Sequence, residues 1–75
     1  MTLAELEEKY PNLNCFEKNN ESIISIGHIS INFRTDKSFE ELLNDEHFLN
    51  ALDLMFISLK NQFYIIDSNS NIKRA

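Results

Sequence analysis

Between Ser22 and Phe33 the apolar positions alternate, lose phase at Gly27-His28, and then alternate again. One continuous strand would scatter the isoleucines over both faces. A hairpin with Gly27-His28 as a two-residue turn instead gathers Ile24, Ile26, Ile29, Ile31 and Phe33 on one face. Glycine at the first turn position suits the type II′ geometry that matches strand twist. The pattern predicts an antiparallel sheet with one apolar face. Upstream, residues 14–18 read as a further strand joined through Asn19-Asn20, since asparagine tolerates the left-handed backbone of a tight turn. In that register Lys18 faces Glu21 and Phe16 faces Ile23, and the 22–26 strand is the middle of a three-stranded meander.

Elsewhere the apolar period is that of a helix. Thr2-Leu3-Ala4-Glu5 and Ser38-Phe39-Glu40-Glu41 both have the form of a capping box. The first helix runs from about Leu3 to Lys9, because Tyr10 precedes Pro11 and is pushed out of the helical region. From Ser38 to Gln62 two apolar stripes conflict. Phe39, Leu42 and Leu43 define one; Phe48, Leu49, Leu52, Met55, Phe56, Leu59 and Phe63 define another, roughly a third of a turn away at ~100° per residue. A break at Asn44 resolves the conflict, with Asn44 as a new N-cap and Asp45 and Glu46 in the first turn. That gives a short helix over 39–43 and a longer one over 45–61. Residues 62–66 fit either a strand or a last helical turn, and 68–75 read as a flexible tail.

The expected architecture is one compact α+β domain over residues 1–67. A short N-terminal helix leads into a three-stranded antiparallel meander, followed by a short and a longer helix packed on the sheet (α-β-β-β-α-α). This order resembles that of some small phage-encoded inhibitors of host nucleases. The likeness is of element order alone, with no motif carrying it.

Size narrows the function classes. Seventy-five residues make one domain near the lower limit for a self-sufficient core. Little chain is left to wall a catalytic pocket of the usual ~300 Å³ or more. The net charge is −5 and the isoelectric point about 4.8. The seven cations are scattered singly apart from Lys73-Arg74, so direct nucleic-acid binding is disfavoured and a basic protein surface is the better electrostatic partner. Isoleucine and asparagine are abundant and valine is absent, as AT-rich coding would favour, which points to a bacterial or phage source. Cys15 is alone, so no internal disulfide forms. Met1-Thr2-Leu3-Ala4-Glu5 lacks the form of a secretory signal, and no apolar run approaches the ~18 residues of a membrane span. A cytoplasmic setting is expected.

Catalytic and metal-binding patterns are thin. His28, His47 and Cys15 are not at CxxC, HxxH or HExxH spacing. Asp45-Glu46-His47 is local, but adjacent helical residues diverge by ~100°. The pairs Glu7-Glu8 and Glu40-Glu41 are accounted for by capping and solvation, and one glycine makes no phosphate loop. No catalytic residue, metal ligand or cofactor site is assigned. What remains is a face of the long helix opposite its core stripe, where Glu46, Asn50, Asp53, Leu54, Ile57 and Asn61 come together, with Glu40, Glu41 and Asp45 nearby. Leu54 and Ile57 are either apolar anchors inside a carboxylate rim or buried under the N-terminal helix. Asp53, mid-helix and without a capping role, reads as a free surface carboxylate. The expected function is a small acidic protein-binding module, most simply an inhibitor of anti-CRISPR or anti-restriction type that occupies a basic, nucleic-acid-binding surface of its target. The alternatives are a homodimeric assembly subunit paired through Leu54 and Ile57, or an antitoxin or immunity protein.

Overall fold

The computed structural model describes residues 1–75. The chain runs α1 (Leu3–Lys9), β1 (Leu13–Lys18), β2 (Glu21–Ile26), β3 (Ile29–Thr35), α2 (Phe39–Leu43), α3 (Glu46–Ile57), β4 (Gln62–Ile66) and β5 (Ile72–Arg74). The strands form one five-stranded sheet in the order β1-β2-β3-β4-β5. Every neighbouring pair is antiparallel except β3 and β4, which run parallel.

Both hairpins have the register that the alternation requires. Ile26 pairs with Ile29 across Gly27-His28, and Lys18 pairs with Glu21 across Asn19-Asn20. Gly27 has φ +55°, while Asn19 and Asn20 have φ +51° and +65°. Two consecutive positive φ values are the requirement of a type I′ turn, which asparagine meets at low cost.

The three-stranded meander is overturned: the sheet has five strands and is mixed. Residues 36–61, carrying α2 and α3, are a crossover that returns the chain alongside β3, as a parallel partner requires. Gln62–Ile66 then pairs with Ile31–Thr35. Residues 68–75 are likewise not a tail, because Ile72, Lys73 and Arg74 pair with Ile66, Ile65 and Tyr64. The turn between them is built by Asp67, whose Oδ1 accepts from the Asn69 and Asn71 amides at 2.9 and 3.0 Å. Those backbone donors hold the Asp67 carboxyl below its ordinary range, with Lys73 adding a smaller pull. The middle strand is therefore β3 and not β2, and the likeness to α-β-β-β-α-α inhibitors lapses with the meander.

Two helix boundaries also move. Asp45, not Asn44, caps α3, its Oδ1 accepting from the His47 and Phe48 amides at 3.0 and 3.4 Å. Asn44 closes α2 instead, donating from Nδ2 to the Glu40 carbonyl at 2.9 Å. At its other end α3 stops at Ile57, short of the expected 61. There Leu59 takes φ +53° and donates its amide to the Phe56 carbonyl. The Gln62 side chain ties this end to β4 by donating to the Met55 carbonyl at 2.9 Å and the Ser58 hydroxyl at 2.6 Å.

All three helices lie on one face of the sheet. Leu6 of α1, Leu42 of α2 and Phe48, Leu49, Leu52 and Phe56 of α3 meet Ile24, Ile31, Phe33 and Ile66 of the strands in one buried cluster. Phe33 is its pivot, edge-on to Phe48 at 4.9 Å and stacked on Tyr64 at 5.8 Å. No helix is long and apolar enough to cross a membrane.

Candidate functional site

Along α3, the i, i+4, i+7 spacing sets the core stripe Phe48-Leu52-Met55 against the sheet. It also turns Glu46, Asn50, Leu54 and Ile57 outward, where all four are exposed. Leu54 is 69% and Ile57 63% exposed. The N-terminal helix does not cover them. It reaches α3 through Tyr10, which sits edge-on to Phe56 at 5.1 Å, and through Asp53 on the flank between core and solvent. Both aliphatic side chains are left bare.

The remaining candidates divide. Asp53 is not a free carboxylate: its Oδ1 accepts from the Tyr10 hydroxyl at 2.7 Å and its Oδ2 lies 3.0 Å from the Lys9 ammonium. Its side chain is 16% exposed. Although burial alone would raise it, the Tyr10 and Lys9 hydrogen bonds hold its carboxyl below the ordinary range. The same bond, with burial the larger cause, pushes the Tyr10 phenol up to about 12. Asp45 is taken up by capping α3, whereas the Glu41 carboxylate stays exposed at the N-terminus of α2, accepting from the Ser38 hydroxyl at 3.4 Å. Glu40 and Glu46 are exposed.

Charge is segregated between the two layers. The helices and the α3 cap carry eight carboxylates (Glu5, Glu7, Glu8, Glu40, Glu41, Asp45, Glu46, Asp53) and one cation, Lys9, a net of −7. The strands carry Glu17 and Glu21 against Lys18, Arg34, Lys73 and Arg74, a net of +2. The overall −5 is thus an acidic helical layer on a mildly basic sheet.

The sheet face away from the helices is open, and sequence reasoning saw only part of it. Register places Phe16, Ile23, Asn32 and Phe63 in one row across four strands. Lys18, Glu21, Arg34, Ile65 and Lys73 form the next row. Phe16 and Phe63 are 42% and 57% exposed. Phe16 and Ile23 were legible as back-face residues, but Phe63 and Ile65 became so only once 62–66 is a strand. No alternation marks them in the sequence, because Phe63 to Ile66 is a continuous apolar run that fits helix or strand alike.

Little on this surface points to catalysis. A groove between α3 and β5 has apolar walls from Ala51, Leu54, Met55 and Ile72 and polar ones from Ser70 and Asn71, with the His47 imidazole and the Tyr64 phenol as its ionisable groups and no carboxylate or thiol in its lining. No three His, Cys, Asp or Glu side chains converge on a common point. Cys15 on β1 is half-buried, and burial, with Glu7 beside it, raises its thiol above the ordinary value, the opposite of what activates a nucleophile.

No protein-family model matches the chain, and neither a curated protein nor a solved structure was found to resemble it.

Proposed function

We propose that the protein is a small binding module whose acidic helical layer occupies a basic surface on another protein. The observation that carries this reading is a net excess of seven carboxylates on the same layer as two uncovered aliphatic side chains, Leu54 and Ile57. Aliphatic anchors ringed by polar groups are the common anatomy of a protein interface, and one-sided charge steers it toward an oppositely charged partner. Glu46, Asn50, Leu54 and Ile57 are the contact residues, with Glu40 and Glu41 at the rim. Asp45 and Asp53 act indirectly, by capping α3 and fastening α1 to it.

Surfaces that handle nucleic acid are the commonest strongly basic surfaces in a cell, so an inhibitor of such an enzyme, in the cytoplasm of a bacterium or encoded by a phage, is the most direct biological form of this reading. An antitoxin or immunity role rests on the same physics. A homodimer paired symmetrically through Leu54 and Ile57 is disfavoured, because it would press two layers of charge −7 together.

The test is capture from a bacterial lysate with three baits: wild type, Leu54→Ser/Ile57→Ser, and Glu46→Lys, each first shown to be folded by circular dichroism. The expected result is a basic protein held by the wild type, recovered roughly tenfold less on either variant, and displaced by heparin. Equal recovery on all three baits contradicts the reading.

A further inference from the structure

The open sheet face has the properties that the helical layer lacks. Its two aromatic rings stand on strands three spacings apart, ~14 Å, with the half-buried Ile23 and Asn32 between them. The result is a shallow trough with Phe16 and Phe63 as walls. Asn32 is held to its floor by donating to Glu21 at 3.2 Å. Lys18, Arg34 and Lys73 line one end of the trough against two carboxylates, Glu21 at 3.7 Å from Arg34 and Asp67 at 3.8 Å from Lys73, which leaves Lys18 unpaired. The surface is apolar in the middle and positive at one end.

On the opposite side of the molecule, α3 presents a ridge of matching character. Leu54 and Ile57 stand one turn apart, with Glu46 on the same outer surface. Twelve residues make the helix ~18 Å long, close to the ~17–23 Å of the five- to seven-residue strands that would lie beneath it. Its ~10 Å width fits between the two rings.

From these two faces we infer that the open sheet of one copy takes the acidic helical layer of a second copy, head to tail, with Leu54 and Ile57 seated between Phe16 and Phe63. The inference uses the helical face described under Proposed function and adds this chain's own sheet as a surface that fits it. Charge selects this arrangement over the symmetric ones: −7 meets +2, whereas helix-to-helix or sheet-to-sheet pairing sets like against like. Cα extents of 29 × 22 × 20 Å limit the contact to roughly 600 Å² per copy, below the ~800 Å² typical of a stable complex. The association is therefore weak, salt-sensitive and transient. Because the two faces are different, it does not close on itself as a two-fold dimer does.

Sedimentation equilibrium of the full chain, from ~10 to ~500 µM, tests this by comparing the wild type and Lys18→Glu with three further samples. One is a Leu54→Ser/Ile57→Ser variant, one a Phe16→Ser/Phe63→Ser variant, and the third their equimolar mixture. All four positions are exposed, and Lys18→Glu supplies a second, milder disruption of the sheet face. The wild type is expected to self-associate beyond a dimer, roughly tenfold more weakly at ~300 mM than at ~20 mM salt. Each variant alone should be monomeric. The mixture should form a one-to-one dimer and nothing larger, since each variant keeps one intact face. Lys18→Glu should weaken the wild-type association severalfold.

A wild type that is monomeric throughout overturns the inference, and so does a mixture that fails to pair. Self-association by the Leu54→Ser/Ile57→Ser variant alone would assign the sheet to a symmetric dimer. Retention of a labelled oligothymidine by the wild type but not by Phe16→Ser/Phe63→Ser would assign the face to single-stranded nucleic acid. Either of these outcomes also refutes it. None of these results touches the lysate comparison, so failure here and failure of the basic-partner reading are told apart.

Discussion

Two residues carry costs or roles that their place in the sequence conceals. Leu59 ends α3 in the left-handed conformation, φ +53°, with a branched side chain 68% exposed. That conformation costs an L-residue on the order of 1–2 kcal/mol and is ordinarily given to glycine or asparagine. Leu59→Gly is expected to raise the free energy of unfolding by about 1 kcal/mol, read from the urea midpoint; an unchanged or lower midpoint would mean that the leucine makes a compensating contact. Asp53 looked like a free surface charge because its partners, Lys9 and Tyr10, are more than forty residues away in the chain. Asp53→Ala should cost about 1–2 kcal/mol, with the charge-assisted bond from Tyr10 the larger part and the half-exposed Lys9 pair the smaller. The pH dependence follows from the signs. The lowered Asp53 carboxyl contributes stability above its unfolded value near ~4 and loses it as pH falls through the folded one. The Tyr10 phenol, raised to about 12, contributes fully below its unfolded value near ~10 and loses that contribution as pH climbs toward 12. Tyr10→Phe should remove the alkaline loss between those limits, and a profile identical to wild type would show that the bond does not form in solution.

At the scale of elements, what was legible in the sequence is what local chemistry specifies. The turns at Gly27-His28 and Asn19-Asn20 fix register within a few residues, so β1, β2 and β3 pair as the alternation requires. The break between α2 and α3 followed from a clash of apolar phase. The second half of the sheet was not legible, since β4 pairs with a strand more than thirty residues earlier, and no local signal specifies a parallel partner. Tyr64 and Ile66 face the core while Phe63 and Ile65 face outward, giving a continuous apolar run that fits helix or strand alike. β5 was hidden for a different reason: Ile72 is the one apolar residue of a three-residue strand, and its burial depends on Ile66 and Tyr64 already being in place. This makes the C-terminus structural. Deleting residues 72–75 should cost about 2 kcal/mol, from lost ladder hydrogen bonds and the exposure of Ile72's neighbours. Amide exchange at Tyr64–Ile66 should accelerate in parallel. Unchanged exchange there would mean that β5 is frayed in solution.

Across the whole molecule, the candidate site was legible as a list of residues but not as a surface. Glu46, Asn50, Leu54 and Ile57 could be put on one helix face from their spacing. Whether α1 would bury them depended on where Tyr10 docks, which spacing does not encode. The separation of charge into an acidic helical layer and a basic sheet was equally invisible to a net charge of −5, which averages over both. That separation is the central claim of the functional account, and amide-shift mapping of the ¹⁵N-labelled protein on titration with the captured basic partner tests it most directly. At ~10 µM protein, too dilute for the weak self-association to compete, the account expects the shifts to concentrate at Glu46, Asn50, Leu54 and Ile57 and to fade as salt is raised, with Ile23, Asn32 and Phe63 unmoved. Shifts centred on the sheet row Phe16-Ile23-Asn32-Phe63, or spread over the molecule and indifferent to salt, would contradict it.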